Sequence, residues 1–303
     1  MSQDPSKPEP RMSTPTGLGR RQQRLSDEET ARRMLEAAVA AVNTTGLTVS
    51  LDHISLEELI RDAGVSRSSA YRRWPYKDLF LSDLLKELAR ATSAAVLTEG
   101  EWIGGSNWRV AREHLDWLET PELRHELLLE LFRQGALLDF EARHERVRAG
   151  GSTEWRTYIA LHATFLSLPE GDLRDEVQAA LAQSERSFIS RVAAGWAYWA
   201  ELLGYRLRPE LGVTFETVAT LANTMLRGLL ITALSTPEVA TRQVEAAPFG
   251  ASAAAGWSPV SLGIASIAVG FLEPDPTVTW DAERLADVRR RLASENTPSS
   301  PIA

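Results

Sequence analysis

The amino-acid sequence predicts an all-α fold in which a short N-terminal helical unit precedes a larger helical body. After Ala95, apolar residues recur at intervals of three and four along most of the chain, which is the period of an amphipathic helix. Gly and Pro separate these stretches, and no stretch shows the alternation typical of a strand. At 303 residues the chain is long enough for two domains that each bury a core.

The composition is that of an ordinary globular protein, with 44% apolar and 24% charged residues. The absence of Cys excludes disulfides, Cys-based zinc sites and thiol catalysis, and it suits a reducing compartment. The polar, Pro-rich N-terminus lacks the apolar segment of a signal peptide. The longest apolar stretch, Val260–Leu272, is shorter than the roughly 20 residues of a membrane-spanning helix. We therefore expect a cytoplasmic protein that does not contact a membrane.

Residues 1–25 predict a disordered tail, because they are rich in Pro, Ser and Thr and contain few large apolar side chains. Arg20, Arg21 and Arg24 lie at its end and allow two interpretations. The tail either keeps the protein in solution or forms an arm that contacts phosphates or a minor groove.

The first helix is predicted from Asp27 to Asn43. Ser26 followed by Glu29 forms a capping box at its start, and Gly46 ends it. Its buried side is predicted from the helical spacing of Met34, Leu35, Ala38, Val39 and Val42.

A second capping box, Ser55 followed by Glu58, begins the next helix. Gly64 ends this helix, because a residue just past a helix often needs a positive φ that glycine adopts at little cost. The helix is amphipathic, with helical spacing of Leu56, Leu59, Ile60 and Ala63.

A third helix begins at the N-cap Ser66 and ends before Pro75, because a residue that precedes proline is disfavoured in the α region. The two short helices and the tight turn between them predict a helix-turn-helix. Between Val65 and Lys77 the chain has three Arg, one Lys and no acid, although the whole chain has a net charge of −8. Arg and Lys neutralise phosphates, and Arg also donates two hydrogen bonds to guanine. This third helix is therefore a candidate for insertion into a DNA major groove.

The motif resembles that of the tetracycline-repressor (TetR) family of transcription regulators, and the resemblance covers roughly residues 26–95. The family pattern is an Ile-Ala pair, Ala-Gly-Val-Ser, Tyr, Phe and Lys at fixed spacing. The corresponding residues here are Leu59-Ile60, Ala63-Gly64-Val65-Ser66, Tyr71, Trp74 and Lys77. The departures are Ile60 in place of Ala, Trp74 in place of Phe, and a longer loop before Ser55.

The resemblance implies a homodimer that binds a near-palindromic operator in double-stranded DNA and most often represses transcription. Each subunit would place Ser66–Arg73 in the major groove of one half-site. Base contacts are expected from Arg67, Ser68 and Ser69, and phosphate contacts from Ser55, Arg72, Arg73 and Lys77. Tyr71 is expected to contact either. A small molecule in the C-terminal body would release the DNA by moving the fourth helix, which begins near Lys77.

Further helices are predicted at residues 107–119, 121–147, 154–168, 172–203, 214–235, 260–272 and 281–293, with a possible short helix at 237–246. Residues 247–258 are predicted as a Gly-rich linker. Two helices, 214–235 and 260–272, are apolar on more than one side and need partners on both. We expect a second subunit on one side; the alternative places both at the centre of a large monomer. Close helix crossing is predicted from the small residues Gly228, Gly263, Ala265, Ser266, Ala268 and Gly270.

Aromatic residues of the body predict a cavity for an apolar or aromatic effector. The predicted lining residues are His114, Trp117, Phe132, Trp155, Tyr158, His162 and Trp196. For each, core packing is the alternative, and each His could instead be a hydrogen-bonded core residue.

The sequence predicts no metal, no cofactor and no enzymatic activity. Glu141 and His144 match half of a di-metal motif, but the second half is missing. Phosphate-binding loops, nucleophile elbows, dinucleotide fingerprints and HExxH motifs are also missing. Two alternatives to a ligand-released repressor remain open. One is a helical small-molecule-binding protein or enzyme whose helix-turn-helix is only structural, and the other is a regulator that responds to a protein partner.

The complete prediction is an all-α protein with a disordered tail at residues 1–25 and a three-helix helix-turn-helix DNA-binding domain at 26–80. A larger helical ligand-binding and dimerisation domain follows at 81–294, and a disordered tail at 295–303.

Overall fold

The computed structural model describes residues 25–45, 54–98, 105–149 and 153–293. The predicted N-terminal tail up to Arg24, with Arg20 and Arg21, and the predicted C-terminal tail lie outside these residues. The described chain is mostly helical, in agreement with the predicted all-α class. Its α-helices are α1 (Asp27–Thr45), α2 (Leu56–Asp62), α3 (Arg67–Arg73), α4 (Lys77–Thr98), α5 (Gly105–Glu113), α6 (Pro121–Glu130), α7 (Ala136–Arg148), α8 (Thr153–Ser167), α9 (Asp172–Leu203), α10 (Phe215–Ala233), α11 (Glu238–Thr241), α12 (Pro259–Phe271) and α13 (Ala282–Ala293).

The predicted caps set the ends of α2 and α3. Ser55 Oγ accepts a hydrogen bond from the backbone amide of Glu58 at 3.4 Å, and Ser66 Oγ accepts one from the amide of Ser69 at 3.1 Å. Gly64 adopts a φ of 62° in the turn between the helices, where other residues would be strained. The helix-turn-helix conformation is therefore encoded locally by residues at its corners.

The core of α1–α4 continues into the body. Met34, Trp74, Phe80 and Leu84 are almost completely buried in it. The same cluster includes residues of α8 and α9, namely Ala160, Leu161 and Val177. Since the core does not end near residue 80, the predicted domain boundary there stays a prediction.

The body packs α5–α7, α9, α10, α12 and α13 around a second core that includes Trp108, Leu127, Leu202 and Trp257. The predicted helix at 121–147 is present, but it changes pitch: α6 and α7 are joined by a π-helical segment, Leu131–Gly135. The predicted helix at 107–119 ends early, since α5 ends at Glu113 and a 3-10 turn follows at Leu115–Leu118.

The prediction that the chain has no strand is wrong. In the described residues, β1 (Tyr205–Leu207) pairs antiparallel with β4 (Leu272–Pro274), and β2 (Val244–Ala246) pairs antiparallel with β3 (Ala255–Trp257). Each strand has three residues, too few for an alternating pattern to be visible in the sequence. The predicted linker at 247–258 thus contains β3, and the predicted short helix at 237–246 is only the four-residue α11.

The helices α10 and α12 lie side by side with one side of each exposed. At Gly263 a Cβ would lie 2.1 Å from Met225 Sδ, so a side chain there would force the end of Met225 to move. Leu221 and Ile231 of α10 are 44% and 46% exposed, so α10 is not at the centre of the protomer. The alternative that both helices form the centre of a large monomer is therefore wrong for α10, whereas most residues of α12 are buried or partly buried. Among the described helices, none combines the length and apolar character needed to cross a membrane.

Candidate nucleic-acid interface and ligand cavity

The helix α3 carries an exposed polar surface, which we call the α3 surface and define as Ser66, Arg67, Ser68, Tyr71, Arg72 and Arg73. All six residues are exposed. The side chain of Arg67 protrudes furthest, with 73% of its area accessible. Ser55 at the start of α2 and Lys77 at the start of α4 flank this surface and are partly buried.

One predicted base-contacting residue is not on this surface. Ser69 is 6% exposed, and its hydroxyl accepts a hydrogen bond from Ser66 Oγ at 2.8 Å. Its side chain closes the first turn of α3 against the core. We therefore remove Ser69 from the residues predicted to contact bases.

Glu57 of α2 connects two residues of the α3 surface. Its Oε2 accepts a hydrogen bond from Arg67 Nε at 2.8 Å, and its Oε1 accepts one from the Tyr71 hydroxyl at 2.9 Å. The hydrogen bonds from Tyr71 and Arg67 lower the pKa of the Glu57 carboxyl, and the bond to Glu57 raises the pKa of Tyr71. One carboxylate thus holds the two side chains in fixed positions.

The other two arginines of the α3 surface also have carboxylate partners. Arg72 forms an ion pair with Asp27 of α1, and Arg73 lies 3.3 Å from Asp83 of α4. Asp83 also accepts a hydrogen bond from Trp74 Nε1 at 3.0 Å. Burial alone would raise the pKa of Asp83, but hydrogen bonds from Lys86 and Trp74 outweigh burial and lower it.

The interpretation of this helix face as four unpaired cations is therefore wrong. Arg67, Arg72 and Arg73 are each paired with a carboxylate of another helix, and Lys77 also has an interaction partner. The carboxylates lie on α1, α2 and α4, outside residues 65–77, so the local charge count did not include them. The pairs of Arg67 with Glu57 and of Arg72 with Asp27 are solvent-exposed, whereas the Asp83 side chain is only 22% exposed. Exposed pairs contribute only about 0–1 kcal/mol each, so DNA phosphates could replace Glu57 and Asp27 at small cost.

A second candidate site is a cavity of about 130 Å³ in the body, between α5–α10 and α12. Its wall is mainly apolar, with aromatic rings from Phe132, Phe140, Trp155, Phe188, Trp196 and Trp199. Its polar lining residues are Asn107, Asp139, Arg143, Asn223 and Arg227. An apolar wall with a few polar groups is typical of a small-molecule site.

Three of the seven predicted cavity residues line this cavity, namely Phe132, Trp155 and Trp196. The other four are not among its lining residues. The ring of His114 packs 4.3 Å from that of Trp117, and its Nδ1 lies 2.9 Å from the Val110 carbonyl oxygen. These two residues form a packing pair elsewhere in the body.

The remaining two, Tyr158 and His162, lie on α8, one turn apart. The Tyr158 hydroxyl accepts a hydrogen bond from Arg227 Nη1 at 3.2 Å, and His162 Nδ1 lies 2.8 Å from the Tyr158 carbonyl oxygen. Tyr158 is thus connected to the cavity through Arg227 and through its ring, whose centroid lies 5.5 Å from that of Trp155. Helical spacing identified aromatic residues but could not show which of them point into the same space.

Arg227 is a lining residue that sequence reasoning missed. Its Nη1 donates to both oxygens of Glu185 at 2.9 Å, and its guanidinium lies over the rings of Tyr158 and Phe188 at 5.0 and 4.8 Å. It therefore connects α10 with α8 and α9 at the edge of the cavity. Its position inside an apolar helix is the one sequence feature that could have drawn attention to it.

Neither His144 nor its neighbours form a metal site in the described part of the chain, where no group of three or more potential ligands lies together. His144 Nε2 instead lies 3.2 Å from the Ala233 carbonyl oxygen. The chain matches no protein-family model, and no curated protein or solved structure is similar to it. The TetR resemblance therefore depends on the helix-turn-helix motif alone.

Proposed function

We propose that the protein is a sequence-specific, DNA-binding transcription regulator, and that it is a repressor that a small molecule releases from DNA. The observation that carries this proposal is the α3 surface, held outward by the capped α2–Gly64–α3 corner. A seven-residue helix with small and cationic exposed side chains fits the major groove.

The α3 surface supports a division of roles. Arg67 and Ser68 lie in the first turn of α3 and are assigned to bases, because the N-terminal residues of such a helix reach base edges. Ser55, Arg72, Arg73 and Lys77 are assigned to phosphates, and Tyr71 to either. On binding, Arg67 and Arg72 would exchange their exposed carboxylate partners for DNA.

The proposal includes a homodimer, because a near-palindromic operator requires two α3 helices about 34 Å apart. The exposed uncharged side of α10 is the surface assigned to the second subunit. Gly228 of α10 and Gly270 of α12 are exposed, and a Cβ at either position would meet no heavy atom within 4 Å. This space leaves room for a close helix–helix contact with a partner.

A chain of contacts supports coupling between the cavity and α3. Arg227 at the cavity pairs with Glu185 of α9, and Glu176 of the same helix pairs with Lys86 at 2.9 Å. Lys86 also pairs with Asp83 at 2.9 Å, and Asp83 pairs with Arg73 at the end of α3. A ligand that displaces α9 would therefore change the ion pairs that hold the end of α3. Allosteric release requires such contacts that differ between the two states of the protein.

A second candidate function is a helical small-molecule-binding protein whose helix-turn-helix is only structural. The three ion pairs of the α3 surface favour it, because they give Arg67, Arg72 and Arg73 a role in joining α3 to α1, α2 and α4. The cavity would serve this function equally well.

Selection of duplexes from a random-sequence library by the full-length protein separates the two functions. The regulator should enrich a near-palindromic sequence, and the logarithm of its affinity should fall linearly with the logarithm of salt concentration. Arg67→Ala should weaken the preferred sequence by about 1–3 kcal/mol relative to random DNA.

Arg148→Ala is the matched control, because Arg148 is an exposed, ion-paired arginine on α7, away from α3. It should leave both affinity and sequence preference unchanged. A lack of enrichment at any salt concentration, from a folded protein that still binds small molecules, would favour the second function.

A further inference from the structure

Gly195 lies inside the C-terminal half of the 32-residue α9 and lines the cavity. Glycine inside a helix is destabilising relative to alanine. Close packing does not explain it here, because Gly195 is buried and a Cβ at this position would meet no heavy atom within 4 Å. The missing side chain therefore leaves part of the cavity open.

The π-helical segment is a second part of the cavity wall with an energetically unfavourable conformation. Leu131 and Phe132 line the cavity from the π-helical segment, a conformation that is rare and is found mostly at functional sites. At Gly135, the end of this segment, a Cβ would lie 1.9 Å from Asn107 Oδ1. Glycine at this position is thus required for Asn107 to reach the cavity wall.

Two lining residues have buried polar atoms without a hydrogen-bond partner among the described residues. They are the acceptor Asn107 Oδ1 and the donor Trp199 Nε1. Trp108, the neighbour of Asn107, packs 5.0 Å from the Trp199 ring, so both groups belong to one end of the cavity. Such atoms also occur elsewhere in the described chain, but here an acceptor and a donor belong to residues that line the same cavity.

The charged lining residues already have partners. Arg227 pairs with Glu185. In the amide orientation that places the Asn223 side-chain oxygen towards Arg227, this oxygen accepts a hydrogen bond from Arg227 Nε at 3.0 Å. Arg143 and Asp139 also interact with other groups of the chain. An anionic ligand would have to displace one of these partners or remain uncompensated in an apolar cavity, which is strongly unfavourable.

We propose that this cavity binds an uncharged, single-ring aromatic compound that carries one hydroxyl group. The volume of about 130 Å³ matches the size of cavities that admit a benzene ring. The six aromatic lining residues contact the ring. Asn107 Oδ1 and Trp199 Nε1 have almost no accessible surface in the structure, so their side chains turn on binding, and the hydroxyl then donates to Asn107 Oδ1 and accepts from Trp199 Nε1. The inference deepens the ligand-binding part of the proposed function and does not require the protein to bind DNA.

The test uses the full-length protein and three probes: phenol, toluene and benzoate. Trp155, Trp196 and Trp199 line the cavity, so tryptophan fluorescence, excited at the red edge of its absorption, reports occupancy. Phenol should quench saturably and bind at least about ten-fold more tightly than benzoate, because burial penalises the carboxylate. Toluene should bind more weakly than phenol, since it satisfies neither polar atom.

Gly195→Leu and Gly195→Ala form a graded pair of variants. Leucine should fill the space and abolish the saturable quenching by phenol, whereas alanine should weaken it only several-fold. Both should retain the far-ultraviolet circular dichroism of a helical protein and raise the unfolding temperature, because each residue is a better helix former than glycine. A loss of binding from a leucine variant that has unfolded would be recognised by these two measurements.

Benzoate binding as tight as phenol would overturn the proposed ligand class, and undiminished phenol binding by a folded Gly195→Leu would overturn the site. Absence of phenol binding to the wild-type protein would overturn the inference even if the protein binds DNA. Conversely, phenol binding that leaves the affinity for DNA unchanged would support the proposed ligand class and overturn the proposed release of DNA by the ligand.

Discussion

At the scale of single residues, Glu57 has two opposing effects on the α3 surface. Its carboxylate orders Arg67 and Tyr71, which would reduce the entropy lost when these side chains bind DNA. It also places a negative charge where phosphates would approach. Because Glu57 and Arg67 are 45% and 73% exposed, water screens their attraction and the repulsion of DNA is the larger effect.

Glu57→Gln should therefore raise the affinity for duplex DNA about two- to five-fold at low ionic strength, with a smaller gain at high salt. Glu58→Gln is the matched control, because Glu58 is exposed on the same helix, loses the same charge and forms no ion pair among the described residues. Fluorescence anisotropy of a labelled duplex measures both variants. Equal gains would mean that charge alone acts and that the pairing with Arg67 is irrelevant.

Tyr205 connects a single buried group to the stability of the body. It is 8% exposed, and burial raises its pKa to about 12. In the unfolded chain the phenol loses its proton near pH 10, so the unfolded state gains stability first as pH rises. The contribution of Tyr205 is fully present below about pH 10 and is lost progressively towards pH 12, by roughly 2–3 kcal/mol.

Tyr205→Phe should reduce the alkaline loss of unfolding free energy, measured by urea denaturation at about pH 8 and about pH 11. Its hydrogen bond with His125 is long, at 3.4 Å, so the loss of the hydroxyl should have little effect at neutral pH. Tyr76→Phe, at a tyrosine that is 73% exposed, should behave like the wild type. An unchanged pH dependence in Tyr205→Phe would show that other groups cause the alkaline loss.

At the scale of elements, the features that could be predicted from the sequence are those that depend on residues close together in the chain. The ends of α2, α3 and α9 follow from caps and glycines, which are visible at single positions. The π-helical segment has no such mark, since the residues that contact it, Asn107 and Ser261, are distant in sequence. The same applies to the candidate sites. The α3 surface was predictable because it is contiguous, whereas the Arg72–Asp27 pair spans 45 positions and the cavity joins seven helices.

The start of α12 shows how one element holds another in an irregular conformation. Ser258 is completely buried, and its Oγ accepts a hydrogen bond from the Ser261 amide at 3.1 Å. Ser261 Oγ in turn donates to the Arg133 carbonyl oxygen in the π-helical segment at 2.7 Å. The N-cap of α12 thereby supports the wall of the cavity.

Ser258→Ala should reduce the free energy of unfolding by about 1–2 kcal/mol, because a buried amide loses its acceptor. Ser187→Ala, at an exposed position inside α9, should change it by less than about 0.5 kcal/mol. Denaturant titrations of both variants give the comparison. If the two changes were equal, the buried cap would make no particular contribution.

At the scale of the whole molecule, the distribution of charge points to an unfilled contact on α10. The chain has a net charge of −8, yet the exposed residues of α10 after Glu216 carry no charge. They are Thr217, Thr220, Leu221, Thr224, Gly228, Ile231 and Thr232. An uncharged helix face with two large apolar residues is unfavourable in water. An isologous contact between two copies of the chain would bury this face on both subunits.

Ile231→Glu should convert the protein from dimer to monomer at micromolar concentration, because each interface would bury two like charges without partners. Leu166→Glu is the matched control: Leu166 is 75% exposed on α8 and should tolerate the charge. Sedimentation equilibrium measures the mass, and DNA affinity should fall with dimer loss, because one subunit reaches only one half-site. A monomeric wild type would remove the spacing argument for a palindromic operator, whereas a dimeric Ile231→Glu would place the interface elsewhere.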